Sequence, residues 1–250
     1  MDLALLEKLK ISKNQQIKQL AVLIDPDKAK PKDLEYLVSL AEEAEVDYFF
    51  VGGSFLEEDA TDITVQHIKS ISTIPVIMFP GSPAQISQYA DALLLLSLIS
   101  GRNPDLLIGR HVEAALKLMQ AKIEIMPTGY ILIDGGRATT VSYISNTMPI
   151  PADKGEIAAF TALAGVQLGL QIIYMDAGSG ALYSIPSKMI RQVSRLIDVP
   201  LIVGGGIRSV EQMKEAYNAG ADVVVVGNAF EKNPDLLIEM AACKRAFALK

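Results

Sequence analysis

Eight short apolar runs punctuate the chain: LAVLID from Leu20, DYFFVGG from Asp47, PVIMFP from Pro75, ALLLLSLI from Ala92, GYILIDG from Gly129, IIYMDAG from Ile172, PLIVGGG from Pro200 and DVVVVGN from Asp222. None shows the apolar–polar alternation of a strand that faces water on one side, so they fit a parallel sheet covered on both faces. Helical patterns lie between them, at Lys32 to Glu45, Asn103 to Ala121, Lys154 to Leu168, Pro186 to Ile197, Ser209 to Ala219 and Pro234 to Ala248. Ser or Asn caps and early prolines mark several of their starts. No Ser/Gly linker or low-complexity tract interrupts the order, and 250 residues is a common length for one barrel. The expected architecture is one α/β domain over residues 1–250, a TIM (β/α)8 barrel, with a doubly wound open sheet as the rival.

Two connections depart from a regular barrel. GSPAQISQYAD, from Gly81 to Asp91, leaves barely two turns where a full helix is due between the third and fourth strands. This predicts a loop, a side opening or a short ordinary helix. The stretch from Gly135 to Gly155 is the longest irregular connection, and long loops in compact domains are often functional.

Composition excludes several classes. A formal charge of −6 argues against nucleic-acid binding, which draws on clustered Lys and Arg. Cys243 is the only cysteine, so there is no internal disulfide or thiolate metal cage, and a reducing cytoplasm is expected. The N-terminus lacks the pattern of a secretory signal, and runs such as ADALLLLSLIS are too short to span a bilayer. Half of the residues are hydrophobic, enough for a sizeable core and for a greasy ligand or a subunit interface.

The chemistry gathers at strand ends. DAGSG follows the sixth strand, GGGI closes the seventh and VGN closes the eighth, three neighbours on the carboxyl face of a barrel. Glycines there let backbone N–H groups approach an anion, and the loops after strands seven and eight are a recurrent phosphate site; tight strand-to-helix turns are the plainer explanation. Asp25 in LIDPDK and Ser54 in VGGS end the first two strands, and so few hard oxygen donors suit Mg2+ shared with a substrate phosphate. A turn carboxylate before Pro26 is the alternative for Asp25. Asp134 could face the cleft, whereas His67 and His111 fall in outer helical patterns as surface or satisfied residues. The chain has no Walker pattern, no G-x-S-x-G elbow and no G-x-G-x-x-G before a helix.

These residues resemble the geranylgeranylglyceryl phosphate synthase family over nearly the whole chain. Its Tyr-x-(Glu/Asp)-x-Gly-Ser-Gly signature appears as Tyr174, Asp176, Gly178, Ser179 and Gly180, its Gly-Gly-Gly-Ile as Gly204 to Ile207, and its Val-Gly-Asn as Val226 to Asn228. IDPDK with Asp25 and VGGS with Ser54 match the family's Mg2+ positions. Asp176 stands where many members carry Glu, one methylene longer.

The resemblance implies a Mg2+-dependent prenyltransferase joining a polyprenyl diphosphate, geranylgeranyl diphosphate first among them, to the C3 hydroxyl of sn-glycerol 1-phosphate. It implies that Tyr174 and Asp176 hold the glycerol hydroxyls, with Asp176 orienting or deprotonating the attacking one. Ser179, Gly180, Gly205, Gly206, Gly227 and Asn228 would hold the phosphate, with Ala177 and Gly178 in the same substrate-binding strand end. It further implies a barrel whose third helix is replaced by a loop-like segment, an apolar groove beside it near Met78, Leu93 and Leu98, a homodimer or hexamer, and transient membrane contact. A sugar-phosphate isomerase or lyase, or a non-catalytic phosphate-binding barrel, are the alternatives.

Overall fold

The computed structural model describes residues 3–54 and 60–247. Eight parallel strands close into a barrel in simple sequence order: β1 (Gln19–Ile24), β2 (Tyr48–Val51), β3 (Val76–Met78), β4 (Ala92–Leu98), β5 (Glu124–Leu132), β6 (Ile172–Asp176), β7 (Leu201–Gly204) and β8 (Val223–Val226). Closure comes from β1 pairing with β8, Ala21 opposite Val225. The open-sheet rival is thereby excluded.

The continuously apolar strands divide their side chains between two cores because successive residues point to opposite faces. Leu20, Val22 and Ile24 of β1, with Ile173 and Met175 of β6, face the helices, whereas Ala21 and Tyr174 face the barrel interior. Each such Val, Leu or Ile contributes roughly 1.5–3 kcal/mol when fully buried, so neither face tolerates polar residues except where function requires them.

Ten helices, among the described residues, surround the strands. The first, α1 (Leu5–Asn14), closes the amino end of the barrel. Its Leu5 and Leu9 join the interior core, and the Glu124 carboxylate at the start of β5 accepts hydrogen bonds from the N–H groups of Leu5 and Leu6 at 2.7 and 2.9 Å. Those N–H groups have no partner within the helix, so Glu124 substitutes for a cap. Next come α2 (Pro31–Glu43) and α3 (Thr61–Ile71), then α4 (Arg110–Ala121), α5 (Thr140–Ile144), α6 (Gly155–Gln167), α7 (Ser187–Ser194), α8 (Val210–Ala219), α9 (Asn228–Lys232) and α10 (Leu236–Phe247). Neither α1 nor α3 is among the patterns picked out from the sequence.

Between β3 and β4 there is only one 3-10 turn, Pro83–Gln85. The helix due there is missing, as the spacing from Gly81 to Asp91 suggests. The buried Gln85 side chain ties this turn to the neighbouring strand end, accepting from Gly81 N at 2.9 Å and donating to Gly53 O at 3.0 Å. After β4 the chain makes a wide π-helical turn, Asp105–Gly109, that runs into α4. The long connection after β5 is anchored by a bridge between Ile133 and Ile150 and by α5, where Thr139 and Ser142 form a reciprocal capping box. No helix among the described residues is long and apolar enough to cross a membrane.

Candidate active site

The alternation along β6 explains how an apolar strand delivers polar groups to the carboxyl end of the barrel. Ile172, Tyr174 and Asp176 share the inward face, so the last two rise above the packed interior toward the opening. β5 lies beside it in register, Tyr130 opposite Tyr174 and Leu132 opposite Asp176. Tyr130 Oη donates a 2.6 Å hydrogen bond to Asp176 Oδ2, and Gly178 N donates to Asp176 Oδ1 at 2.7 Å. All three side chains are buried, Asp176 being 7% exposed.

Burial pushes the Asp176 carboxyl above its ordinary range, while the Tyr130 hydroxyl and the Gly178 N–H pull it back. Both Tyr130 and Tyr174 are held well above the usual phenol range by burial, with the neighbouring Asp176 adding to it. The result is a buried carboxyl of raised proton affinity beside two phenols that keep their protons. Tyr174 stacks on Phe79 with ring centres 5.0 Å apart and meets Tyr130 edge-on at 5.5 Å. Its hydroxyl makes no hydrogen bond within the protein among the described residues.

β6, β7 and β8 are adjacent, so their glycine-rich ends form one continuous rim. Gly178, Gly180, Gly205 and Gly206 all have positive φ, between +71° and +85°. At Gly205 the requirement is also steric: a Cβ would stand 2.5 Å from Asp176 Oδ1 and 2.7 Å from Gly178 N. Asn228 Nδ2 donates to Ser179 Oγ at 3.2 Å, joining the loop after β6 to that after β8. Among the described residues, the N–H groups of Ser179, Gly180, Gly205, Gly206, Gly227 and Asn228 make no hydrogen bond within the protein. Backbone donors left unmet in three adjacent turns are the makings of an anion site.

Two of the expected binding residues have their N–H groups engaged within the protein. Ala177 spends its N–H on Gly204 O at 3.2 Å, and its methyl is buried in the outer core. The Gly178 N–H is committed to Asp176. Both shape the turn, leaving Ser179 and Gly180 as the available donors.

Asp25 and Ser54 lie just past the ends of the adjacent strands β1 and β2, and β1 pairs with β8, so this pair continues the rim beyond the Gly227 turn. Asp25 Oδ2 pairs with Lys28 Nζ at 2.7 Å and Oδ1 accepts from Asp27 N at 3.2 Å, so the carboxylate is held in its own turn before Pro26. Asp134 is exposed and accepts from Gly136 N at 2.8 Å, which makes it a turn residue. His67 Nε2 lies 3.2 Å from Glu35 Oε1, and His111 Nε2 lies 2.9 Å from Leu96 O.

The missing third helix opens a cavity of about 670 Å³ running from Gly53, Ser54, Phe79 and Tyr130 along β4 to Ala114 and Leu118 of α4. Leu93 and Leu98 line it, whereas Met78 points into the outer core and does not. His111 lines it as well, facing inward from α4. The cavity and the glycine rim meet at Phe79, Tyr130 and Tyr174. Phe79 and Tyr130 carry no sequence motif: each is one apolar-run aromatic among several, and only barrel closure brings them together.

Comparison with known proteins agrees with this geometry. Residues 11–244 match the model of the PcrB family. The chain is 53% identical over 236 residues to a geranylgeranylglyceryl phosphate synthase of Chitinophaga pinensis, covering 94% of each. It is 46% identical to one from Thermococcus kodakarensis over 84% of this chain and 83% of that protein. Among solved structures, the (S)-3-O-geranylgeranylglyceryl phosphate synthase of Thermoplasma acidophilum, in complex with its substrate sn-glycerol-1-phosphate, superposes with a TM-score of 0.92 at 33% identity, over 98% of this chain and 100% of that one. The chain belongs to the PcrB family, with the geranylgeranylglyceryl phosphate synthases, and is a prenyltransferase of that group.

Proposed function

We propose that the chain transfers a polyprenyl group, geranylgeranyl first among candidates, from its diphosphate to the C3 hydroxyl of sn-glycerol 1-phosphate. The observation that carries this reading is the convergence of six unmet backbone N–H groups beside the buried Tyr174 and Asp176, at the mouth of a long apolar groove. A small phosphate with vicinal hydroxyls fits the first half and a polyprenyl tail the second.

In this reading the glycine rim holds the glycerol phosphate by N–H donors from Ser179, Gly180, Gly205, Gly206, Gly227 and Asn228. Tyr174 and Asp176 hold the glycerol hydroxyls. The allylic carbon–oxygen bond breaks as the C3 oxygen bonds to C1 of the prenyl group; diphosphate leaves with the bonding pair, and the hydroxyl proton passes to Asp176. Burial suits the carboxylate for that role, since a base must be basic and within hydrogen-bond reach. Phe79 and Tyr130, whose rings line the junction, offer π faces to the positive character at C1.

Mg2+ fits the ends of β1 and β2 in number and kind of donors: one carboxylate, Asp25, and one hydroxyl, Ser54, leave most of its shell to water and diphosphate oxygens. Asp25 is paired with Lys28, so that pair would open for the ion. When bound, the metal supplies charge stabilisation to the departing diphosphate.

A Schiff-base aldolase is not favoured. Lys244 is the buried lysine among the described residues, and it sits on α10, donating to Glu45 O and pairing with Asp47 at 2.8 Å. Exposed Val112, Leu116 and Met119 along α4 and Ile108 in the turn before it, with Ile157 and Phe160 along α6 and Leu168 just past its end, support the expected homo-oligomer.

The test is incubation of labelled sn-glycerol 1-phosphate with farnesyl, geranylgeranyl and longer prenyl diphosphates, with Mg2+ or with chelator, followed by organic extraction. Metal-dependent label in the organic phase is expected, greatest with geranylgeranyl diphosphate. Saturable binding of glycerol 1-phosphate with no extractable label from any donor would leave a phosphate-binding barrel and sink the transferase reading.

A further inference from the structure

The anion site described above has a charge imbalance. Its donors are backbone N–H groups and neutral side chains, and the nearest ionisable group inside it is an acid, Asp176, while a phosphate monoester brings close to two negative charges. Neutral donors hold such an anion less strongly than a charge-assisted contact does. The glycine motifs, DAGSG, GGGI and VGN, contain no cation that would make up the difference.

The fold brings one. The loop after β5 docks against the loop after β6: Leu182 N and Tyr183 N donate to Gly135 O at 2.8 and 3.0 Å. Its next residues are so close that a Cβ at Gly136 would meet the Tyr183 ring at 2.6 Å. This docking carries Arg137 over the phosphate turn, where its Nη2 lies 2.5 Å from the position a Gly180 Cβ would occupy. The absence of a side chain at Gly180 lets the guanidinium come this close to the turn. The other cations nearby are committed: Arg208 donates to the carbonyls of Ala181 and Leu182, and Lys28 pairs with Asp25. Arg137 is exposed and, among the described residues, has neither a hydrogen bond nor an ion pair.

We propose that Arg137 is a phosphate-binding residue, its guanidinium closing over the glycerol phosphate held by Ser179 and Gly180 and supplying the positive charge the glycine rim lacks. The planar fork reaches two phosphate oxygens at once, which a lysine at the same place does not. Lying in the β5 loop and not in the glycine motifs, Arg137 adds selectivity for a doubly charged phosphate over a neutral glycerol ligand.

The proposal rests on the transferase reading, and its test separates the two. Calorimetric titration of the full chain with sn-glycerol 1-phosphate and, in parallel, with inorganic phosphate is done for wild type, Arg137→Met and Arg137→Lys, alongside steady-state kinetics. The Met variant is expected to weaken binding of both probes by about tenfold or more, with Lys restoring part of it. KM for glycerol 1-phosphate rises in step, while kcat, KM for the prenyl diphosphate and Tm stay near wild type. Added salt weakens wild-type binding more steeply than that of the Met variant. Equal affinity of wild type and Arg137→Met for both probes overturns the proposal. Arg137-dependent phosphate binding in a protein that makes no prenyl ether overturns the transferase reading and leaves the phosphate contact standing.

Discussion

The Tyr130 hydroxyl donates a 2.6 Å hydrogen bond to Asp176 Oδ2 from the neighbouring strand, inside a barrel that buries both side chains. The contact holds the carboxylate oxygen in place and opposes the upward push of burial on its pKa. A hydrogen bond to a charged group is worth about 1.5–3 kcal/mol net. Tyr130→Phe is therefore expected to lower kcat/KM by roughly 10–100-fold. It also removes one of the two groups that favour the ionised carboxylate, so the acid limb of the pH–rate profile moves to higher pH. A profile of kcat/KM that keeps its wild-type midpoint would rule out this coupling.

Asp176→Asn separates activity from stability. If Asp176 takes the proton, turnover falls by about 100-fold or more. Stability has the opposite sign. The folded-state pKa of Asp176 lies above its ordinary value of 3.8, so the fold binds its proton more tightly than the unfolded chain does. Stability is then greatest below the ordinary carboxyl pKa and is lost as pH rises through the raised value. The neutral Asn escapes that loss, and Tm at neutral pH should equal or exceed wild type. A Tm well below wild type with activity retained would contradict both halves.

Gly205→Ala tests the rim. Its φ of +81° is costly for any residue with a Cβ, about 1–2 kcal/mol from the backbone alone, and the added methyl would collide with Asp176 and with Gly178 N. Denaturant unfolding should show that loss, and calorimetry should show a weakened response to glycerol 1-phosphate. Gly169→Ala, also at positive φ but with open space around its Cβ, is the control: it should carry the backbone cost and keep the binding.

Ala114→Phe tests the groove. Ala114 lines the cavity from α4, and a ring there fills space at some distance from Tyr130. The expected outcome is a shift in donor preference from geranylgeranyl toward farnesyl diphosphate, read from the ratio of kcat/KM values, with glycerol 1-phosphate affinity unchanged. Undiminished use of the longer donor would place the tail elsewhere.

Chelation should stop transfer and leave glycerol 1-phosphate binding intact, because the proposed metal donors Asp25 and Ser54 are not among the N–H donors of the glycine turns. Asp25→Ala should raise the Mg2+ concentration needed for half-maximal rate. Equal metal dependence in that variant would assign the ion to other groups.

The barrel was legible in the sequence because burying both faces of a strand demands unbroken apolar runs, and because positive-φ turns favour glycine, as at Gly178, Gly180, Gly205 and Gly206. For that reason the eight strands and the glycine-rich ends of the last three can be found by residue type alone, whereas the spacing from Gly81 to Asp91 left a short helix open and only the family resemblance pointed to its loss. Ala177 illustrates the limit: it sits inside the motif, yet its N–H is taken by Gly204. Tyr130, Phe79 and Arg137 could not be found that way. An aromatic in a strand and an arginine in a loop are ordinary residues, and their roles depend on which strand closes beside which and which loop docks on its neighbour. Local backbone demands are written in residue types; the meeting of Tyr130 with Asp176 and of Arg137 with Gly180 was decided by the closure of the barrel, which brings together groups far apart in the chain.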